Sequence, residues 1–231
     1  MNGMILLLFL GTMGLSLWAT FRVKSVYQRY HQGGTLSGLT GAQTAQRILA
    51  AAGIRDVSVV AGEGLLSDHY DPVHRRLVLS PDNYHGVSPA ALGVAAHEAG
   101  HALQHQAAYA PLQWRMSAVG AATIANQVVL WLPLLGLFTG FIQAPLAMAI
   151  VAVGWGVLML FNLVTLPVEF DASRRAKACL SGMGIIRTPE ESDAVNRVLN
   201  AAAFTYVAAF LTTLVYFLWH LAPFLLGRSD D

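Results

Sequence analysis

The sequence predicts a mainly α membrane protein, with about four transmembrane helices and a small α/β cytoplasmic part built around one chemically unusual helix. Three observations lead there. Hydrophobic residues make up 55% of the 231-residue chain and charged residues only 12%, about half the charged share of an ordinary soluble domain. Long stretches carry no charged side chain at all. The charges gather instead in Arg22 to Arg115 and in Pro167 to Arg197, and the first of these holds the run His97-Glu98-Ala99-Gly100-His101.

The apolar stretches come first. Met1 to Phe21 has no charge, and its core from Met4 to Ala19 is almost wholly apolar, enough for one span since about 17 to 25 residues cross a bilayer. Arg22, Lys24 and Arg29 follow this core instead of preceding it, so it is expected to be a retained anchor (1–21) and not a cleaved leader. Met116 to Val168 is uncharged. As a single helix it would run about 80 Å at about 1.5 Å per residue, so it is expected to fold back near Thr139 to Pro145, where Gly140 and Pro145 interrupt it, giving a two-span hairpin over 116–166. Val198 to Gly227 supplies the fourth span.

Orientation follows from the basic residues. With the N-terminus outside, every Lys and Arg except Arg228 falls on one side, which the positive-inside rule makes cytoplasmic. The expectation is a multi-pass protein of the cell (inner) membrane, polar part inside and both termini outside. A net charge of +1 excludes the basic footprint of a nucleic-acid binder. The single cysteine, Cys179, excludes an internal disulfide and a thiolate metal site.

Within 22–115, Gly33-Gly34 reads as a linker and Gly41 to Ala52 as a short helix closed by Gly53. Val57 to Ala61 and Arg75 to Ser80 read as strands, separated by Gly62, Gly64 and an Asp71-Pro72 turn. Ser88-Pro89 then opens a helix over 89–109, with Ser88 as N-cap and Pro89 in the first helical position. No repeat or low-complexity tract is present.

On that helix His97 and His101 stand four residues apart, one turn on the same face, where two imidazoles can bind one zinc ion. Glu98 lies beside them, placed to take a proton from a water activated by the metal. Two histidines and a glutamate on an otherwise apolar helix would be costly to bury without a partner, and a metal satisfies all three. A catalytic site needs a third protein ligand. His105 stands one turn further, but three ligands strung along about 12 Å of straight helix cannot reach one ion. It reads as a supporting residue.

Glu169 is the better candidate. Pro167 suits the start of a new helical turn over 167–197, and on that helix Glu169 shares its face with Ala172, Ser173 and Ala176, small enough for close packing against the His97–His101 helix. Asp171 points the other way, toward a solvent-side pair with Arg175. Glu190, Glu191 and Asp193 read as a solvated helix start.

These residues resemble the YugP-type membrane zinc metallopeptidases over nearly the whole chain. The likeness rests on Leu66-Ser-Asp-His-Tyr-Asp-Pro72, Val94-Ala-Ala-His-Glu-Ala-Gly-His-Ala-Leu-Gln104, Thr165 to Ala176 and Val198-Leu-Asn-Ala-Ala-Ala-Phe-Thr-Tyr-Val-Ala208. It implies a zincin-like cytoplasmic part of gluzincin type, with Zn2+ held by His97, His101 and Glu169 and Glu98 as catalytic base. The chain is more distantly similar to the HtpX-type membrane metallopeptidases, which carry an aspartate four residues after the ligand glutamate. Here that position is Ser173, so another group must orient the zinc-binding histidine. Asp68 and Asp71 are candidates, although Asp-His-Tyr-Asp-Pro also has an ordinary role as a turn.

The reaction implied is hydrolysis of a peptide or protein substrate at the bilayer. Tyr206 and Arg174 are candidates for stabilising the oxyanion; a membrane-interface anchor and a positive flank are their plain roles. Asn200 reads as a helix-packing residue. The strand around Leu77 to Leu79 is expected to offer its edge to an extended substrate. Residues 89–108 are too polar for a lipid-facing span, which disfavours an intramembrane active site. A membrane scaffold or assembly factor with a structural zinc is the remaining alternative, and Glu98 speaks against it. A role in membrane-protein quality control or processing is an analogy alone.

Overall fold

The computed structural model describes residues 2–64, 67–139 and 144–226. Residues 140–143, at the centre of the break expected near Thr139 to Pro145, lie outside the described residues, as do Leu66, Gly227 and Arg228. The element order is α1 (Asn2–His31), α2 (Gly41–Ala51), β1 (Ser58–Ala61), β2 (His69–Asp71), β3 (Arg76–Leu79), α3 (Pro81–His85), α4 (Pro89–Gln106), α5 (Ala110–Thr139), α6 (Ala144–Gly182) and α7 (Pro189–Leu226). Among the described residues, four helices are long and apolar enough to cross a membrane, over Leu6–His31, Ala110–Gly136, Pro145–Gly182 and Pro189–Leu225.

The chain divides into two units. One consists of residues 1–18, 114–166 and 206–231. Its helices expose large apolar side chains such as Leu7, Ile124, Trp131 and Val153, a surface suited to hydrocarbon and not to water. Inside it, small residues and a few polar groups make the contacts, as expected where the surroundings are as apolar as the side chains. A Cβ on Gly154 would lie 2.7 Å from Val129, and one on Gly156 would lie 3.0 Å from Phe217. Thr12 and Tyr216 share a hydrogen bond, Trp155 stacks on Tyr216, and Asn162 donates to Thr213.

The other unit holds residues 19–113 and 167–205. Its three-stranded sheet has the order β1-β3-β2, with β1 parallel and β2 antiparallel to β3. Leu77 and Leu79 of β3 are fully buried and join Ile48, Leu92, Leu180 and Val195 in the core. Helix α2 starts on a capping box, Thr40 Oγ1 accepting from Gln43 N while Gln43 Oε1 accepts from Thr40 N, a pairing that satisfies two orphan donors. Its first residue, Gly41, admits no side chain: a Cβ there would lie 2.1 Å from the Asn83 carbonyl.

Several expectations change. Pro167 does not begin a new helix but lies inside an unbroken α6, and the expected separate segment 167–197 is instead the end of α6, a turn through Gly184 at φ 62, and the start of α7. Helix α4 stops at Gln106 and not Tyr109, because Ala108 adopts φ 49, and Pro111 sits in the first turn of α5, where a proline costs no hydrogen bond. Glu191 is buried, not solvated. Its carboxylate accepts from the backbone N–H groups of Leu36, Arg187 and Thr188, so it caps α7 and pins the Gly33-Gly34 segment. The strand expected to offer an edge, β3, is the central one, paired on both sides.

Candidate metal centre

Helix α4 carries the centre, and its start is fixed as the sequence suggests: Ser88 Oγ accepts from Ala91 N and Pro89 occupies the first turn. Beyond the cap, Ala90, Ala91, Leu92, Ala95, Ala96 and Ala99 are completely buried. Small side chains let α6 approach closely. A Cβ on Gly100 would come within 2.6 Å of the Ala172 carbonyl oxygen, so the two backbones touch at the level of the motif. This crossing places Glu169, which is 1% exposed, opposite His97 and His101.

One ligand atom each of His97, His101 and Glu169 lies within 4.8 Å of the others. Nε2 of His97 is 3.2 Å and Nε2 of His101 3.7 Å from the same oxygen, Oε2 of Glu169. Two ligands of a tetrahedral zinc, each at about 2.0 to 2.1 Å, are about 3.3 Å apart, so the group has the spacing of a metal site.

Tautomers give a second test. Gln104 Nε2 donates to the Val168 carbonyl and to Asp171 Oδ2, at 2.8 and 3.0 Å. Both partners are acceptors, which fixes the amide orientation and leaves Oε1 facing His101 Nδ1 at 3.0 Å. That nitrogen must then carry the proton, and in the neutral ring Nε2 turns a lone pair toward the Glu169 carboxylate. A cation is required between them. In the metal-free fold, burial pulls the His101 pKa down, but its hydrogen bond to the Glu169 carboxylate and the charges of Glu98 and Glu169 outweigh it, and the net shift is upward.

The remaining candidates are distributed differently. Glu98 lies in the same stretch of α4 and is 9% exposed. Ser173, where a related pattern has aspartate, itself contacts His97, its Oγ 3.1 Å from Nδ1. Asp68 is used elsewhere, accepting from Ser80 N and Oγ and from Asn83 Nδ2. Asp71 holds its turn, accepting from Val73 N, His74 N, His74 Nδ1 and Arg76 Nε, and these bonds, the His74 backbone first, keep its carboxyl well below the usual range. His105 is turned to Tyr70, Nδ1 to hydroxyl 2.9 Å. Arg174 pairs with Asp171, and Tyr206 belongs to the unit of apolar spans.

Asp171 departs most from expectation. Its pair with Arg175 exists at 2.6 Å, but the residue is 6% exposed and also meets Gln104. Gln104, 0% exposed, was not singled out by the sequence as a site residue. The only available signal was its position three residues after His101, on the same helix face.

A His, His and Glu trio, with His101 and Glu169 buried, on two tightly packed helices of a chain whose described residues include four long apolar helices, defines a membrane metalloprotein. The chain belongs to the family described as "Putative neutral zinc metallopeptidase", whose family model matches residues 5–224. It is 42% identical over 233 residues to "Putative membrane protease YugP" of Bacillus subtilis (strain 168), an alignment covering 99% of this chain and 100% of that protein. No solved structure matches it. The cofactor is therefore zinc, and His97, His101 and Glu169 are positioned to bind it.

Proposed function

We propose that the chain is a membrane-embedded zinc-dependent endopeptidase of the gluzincin type, with a zincin-like part formed by 22–115 and the end of α6. The observation that carries this reading is the convergence of His97 Nε2, His101 Nε2 and Glu169 Oε2, with Glu98 one residue from the first ligand. Three protein ligands leave a fourth position for water or substrate, the arrangement of a catalytic zinc and not a closed structural one. Zinc, when bound, supplies a Lewis acid that activates water and polarises the scissile carbonyl. Glu98 takes the water proton and passes it to the leaving amine. Glu169 supplies the negative charge that balances the metal. Ser173 and Gln104 hold the two imidazoles with Nε2 directed at the metal position.

The scaffold alternative needs no base. Glu98→Gln separates the two readings: it is expected to retain zinc while peptide hydrolysis falls by at least about a hundredfold, in line with the 10²–10⁴-fold usual for a general base. Equal hydrolysis by the variant would refute the mechanism. A wild-type protein that binds zinc yet cleaves no peptide would favour the scaffold.

The polar unit is assigned to the cytoplasmic face, with both termini outside, on the positive-inside distribution of Lys and Arg. A cysteine at Arg75, in a chain with Cys179 replaced by Ala, should be protected from a membrane-impermeant maleimide in intact cells. Labelling there would reverse the topology.

A further inference from the structure

Asp171 and Gln104 raise a question that the zinc ligands alone do not answer. Asp171 is a carboxylate two residues from a ligand, yet it does not reach the metal group, and Gln104 is a fully buried polar side chain on a helix of alanines. A buried amide of this kind is retained at a desolvation cost unless each of its groups is met. Here each is met, by a chain of contacts that crosses from α4 to α6.

The chain begins at His101, whose Nδ1–H donates to Gln104 Oε1 at 3.0 Å. Gln104 Nε2 then donates twice. One bond, at 2.8 Å, goes to the carbonyl of Val168, the residue before Glu169. The other, at 3.0 Å, goes to Asp171 Oδ2. Asp171 is closed off in turn by Arg174 and by Arg175 Nε at 2.6 Å. A single side chain thus fixes the ring orientation of one ligand and the backbone position of another. Ser173 deals with His97 separately.

We propose that Gln104 is a positioning residue for the zinc site, relaying the negative charge of Asp171 to His101 through its amide. This arrangement gives His101 a carboxylate-backed support, while Ser173 supports His97. Asp171 polarises the amide, the amide oxygen becomes a better acceptor, and His101 Nδ1–H is held so that Nε2 is the more basic, metal-directed nitrogen. Because the same amide grips the Val168 carbonyl, it also sets the separation between His101 and Glu169. Removing a partner of this type weakens metal binding by about 10- to 100-fold in zinc proteins.

The inference rests on the zinc reading proposed above, and the experiment separates the two. Zinc affinity is measured by chelator competition on the purified full chain in detergent, together with the visible d–d spectrum of its cobalt-substituted form. Wild type must bind zinc and give a four-coordinate cobalt spectrum; if it does not, the zinc reading fails first. Gln104→Leu removes the relay at similar volume. Gln104→Glu keeps an acceptor on His101 but sets a second carboxylate against Asp171 and the Val168 carbonyl. Each is expected to lose about 10- to 100-fold in zinc affinity and to shift the cobalt spectrum.

The decisive variant pairs Gln104→Glu with Asp171→Asn. The exchanged carboxylate and amide then restore the bond between positions 104 and 171 and set a carboxylate directly on His101, at the cost of the contacts to the Val168 carbonyl and Arg175 Nε. This double variant is expected to recover at least tenfold of the affinity lost by Gln104→Glu. A packing role alone would give additive losses and no recovery. If wild type binds zinc while Gln104→Leu matches it in affinity and cobalt spectrum, or if the double variant is weaker than both single ones, the relay is refuted.

Discussion

Gly100→Ala tests whether the contact between α4 and α6 sets the metal site. By helix propensity alone the change should stabilise the protein, since alanine is favoured over glycine by about 1 kcal/mol inside a helix. Packing predicts the opposite sign. The added Cβ would lie 2.6 Å from the Ala172 carbonyl oxygen, and also 3.2 Å from Ala172 Cα and C. These are backbone atoms and cannot rotate away. Restoring ordinary contact requires α6 to withdraw by about 0.9 Å, against the well near 3.5 Å. Overpacking of this kind costs about 1 to 3 kcal/mol, so the net change is a loss of about 1 kcal/mol.

The larger effect falls on zinc. Glu169 precedes Ala172 by one turn and moves with it, while metal–ligand distances tolerate only about 0.2 Å. Zinc affinity should drop by at least about tenfold, the lower end of what removal of a supporting partner costs. Gly93→Ala serves as the control on the same helix. Its Cβ would stand 3.5 Å from the nearest atom of Val195, an ordinary contact, so it should melt no lower than wild type and bind zinc equally. The assay is thermal unfolding of zinc-free and zinc-loaded protein in detergent, with chelator competition. If Gly100→Ala matched Gly93→Ala in both, α6 would not be held against α4 as the structure places it.

Zinc removal should show a particular pH dependence. The His101 pKa is raised above 6.5 in the metal-free fold, so its contribution to stability is complete below the unfolded value and is lost as pH rises through the folded one. The melting temperature gained on adding zinc should therefore grow from pH 6 to pH 8, as calorimetry would show; a gain that shrinks would be inconsistent with this proton being displaced by the metal. Glu191→Ala leaves three backbone N–H groups without their acceptor, at a cost of about 1 to 3 kcal/mol. Limited proteolysis should then cut near Leu36, and an unchanged digest would refute the pin. For the substrate, β3 is unavailable, while β2 is an edge strand tied to α4 by the bond from Tyr70 to His105. An extended peptidic inhibitor should crosslink to a photoreactive group at His69 and not to one at Ser58; the reverse pattern would move the substrate to β1.

The legible part of this protein was the part governed by local rules. Four apolar runs, the Ser88-Pro89 helix start and the His97–His101 spacing each follow from neighbours in sequence, and each matches the structure. Glu169 was reachable because its helix face holds only Ala172, Ser173 and Ala176, a pattern that makes sense only against another backbone. The misread elements depend on distant partners. Proline at 167 looks like a helix start, but at the foot of a long apolar helix the neighbouring turns carry on around it. β2 has three residues, too few for an alternation to register, and it exists because β3 supplies the ladder. Asp171 pairs with Arg175 as i,i+4 spacing suggests, yet nothing local shows that Gln104 approaches from another helix and draws the carboxylate inward.

The composition of α4 and α6 also bears on how the site is maintained. Gly100 meets the Ala172 backbone, and Ala99 and Ala176 lie in the same core, residues that let the backbones come close but bury little apolar area, at about 25 cal/mol per Å². A crossing of this kind gains little from burial and holds two carboxylates and two imidazoles that resist desolvation. Metal binding reverses that balance, since ligand binding to the folded state adds about 2.7 kcal/mol at a hundredfold excess over Kd. The α4–α6 crossing should accordingly be the first part of the unit to loosen when zinc is stripped. Amide hydrogen exchange of residues 97–104 and 168–176 should rise on chelation while that of β3 stays constant. Uniform protection across all three segments with and without zinc would mean that the helices hold the site, and not the site the helices.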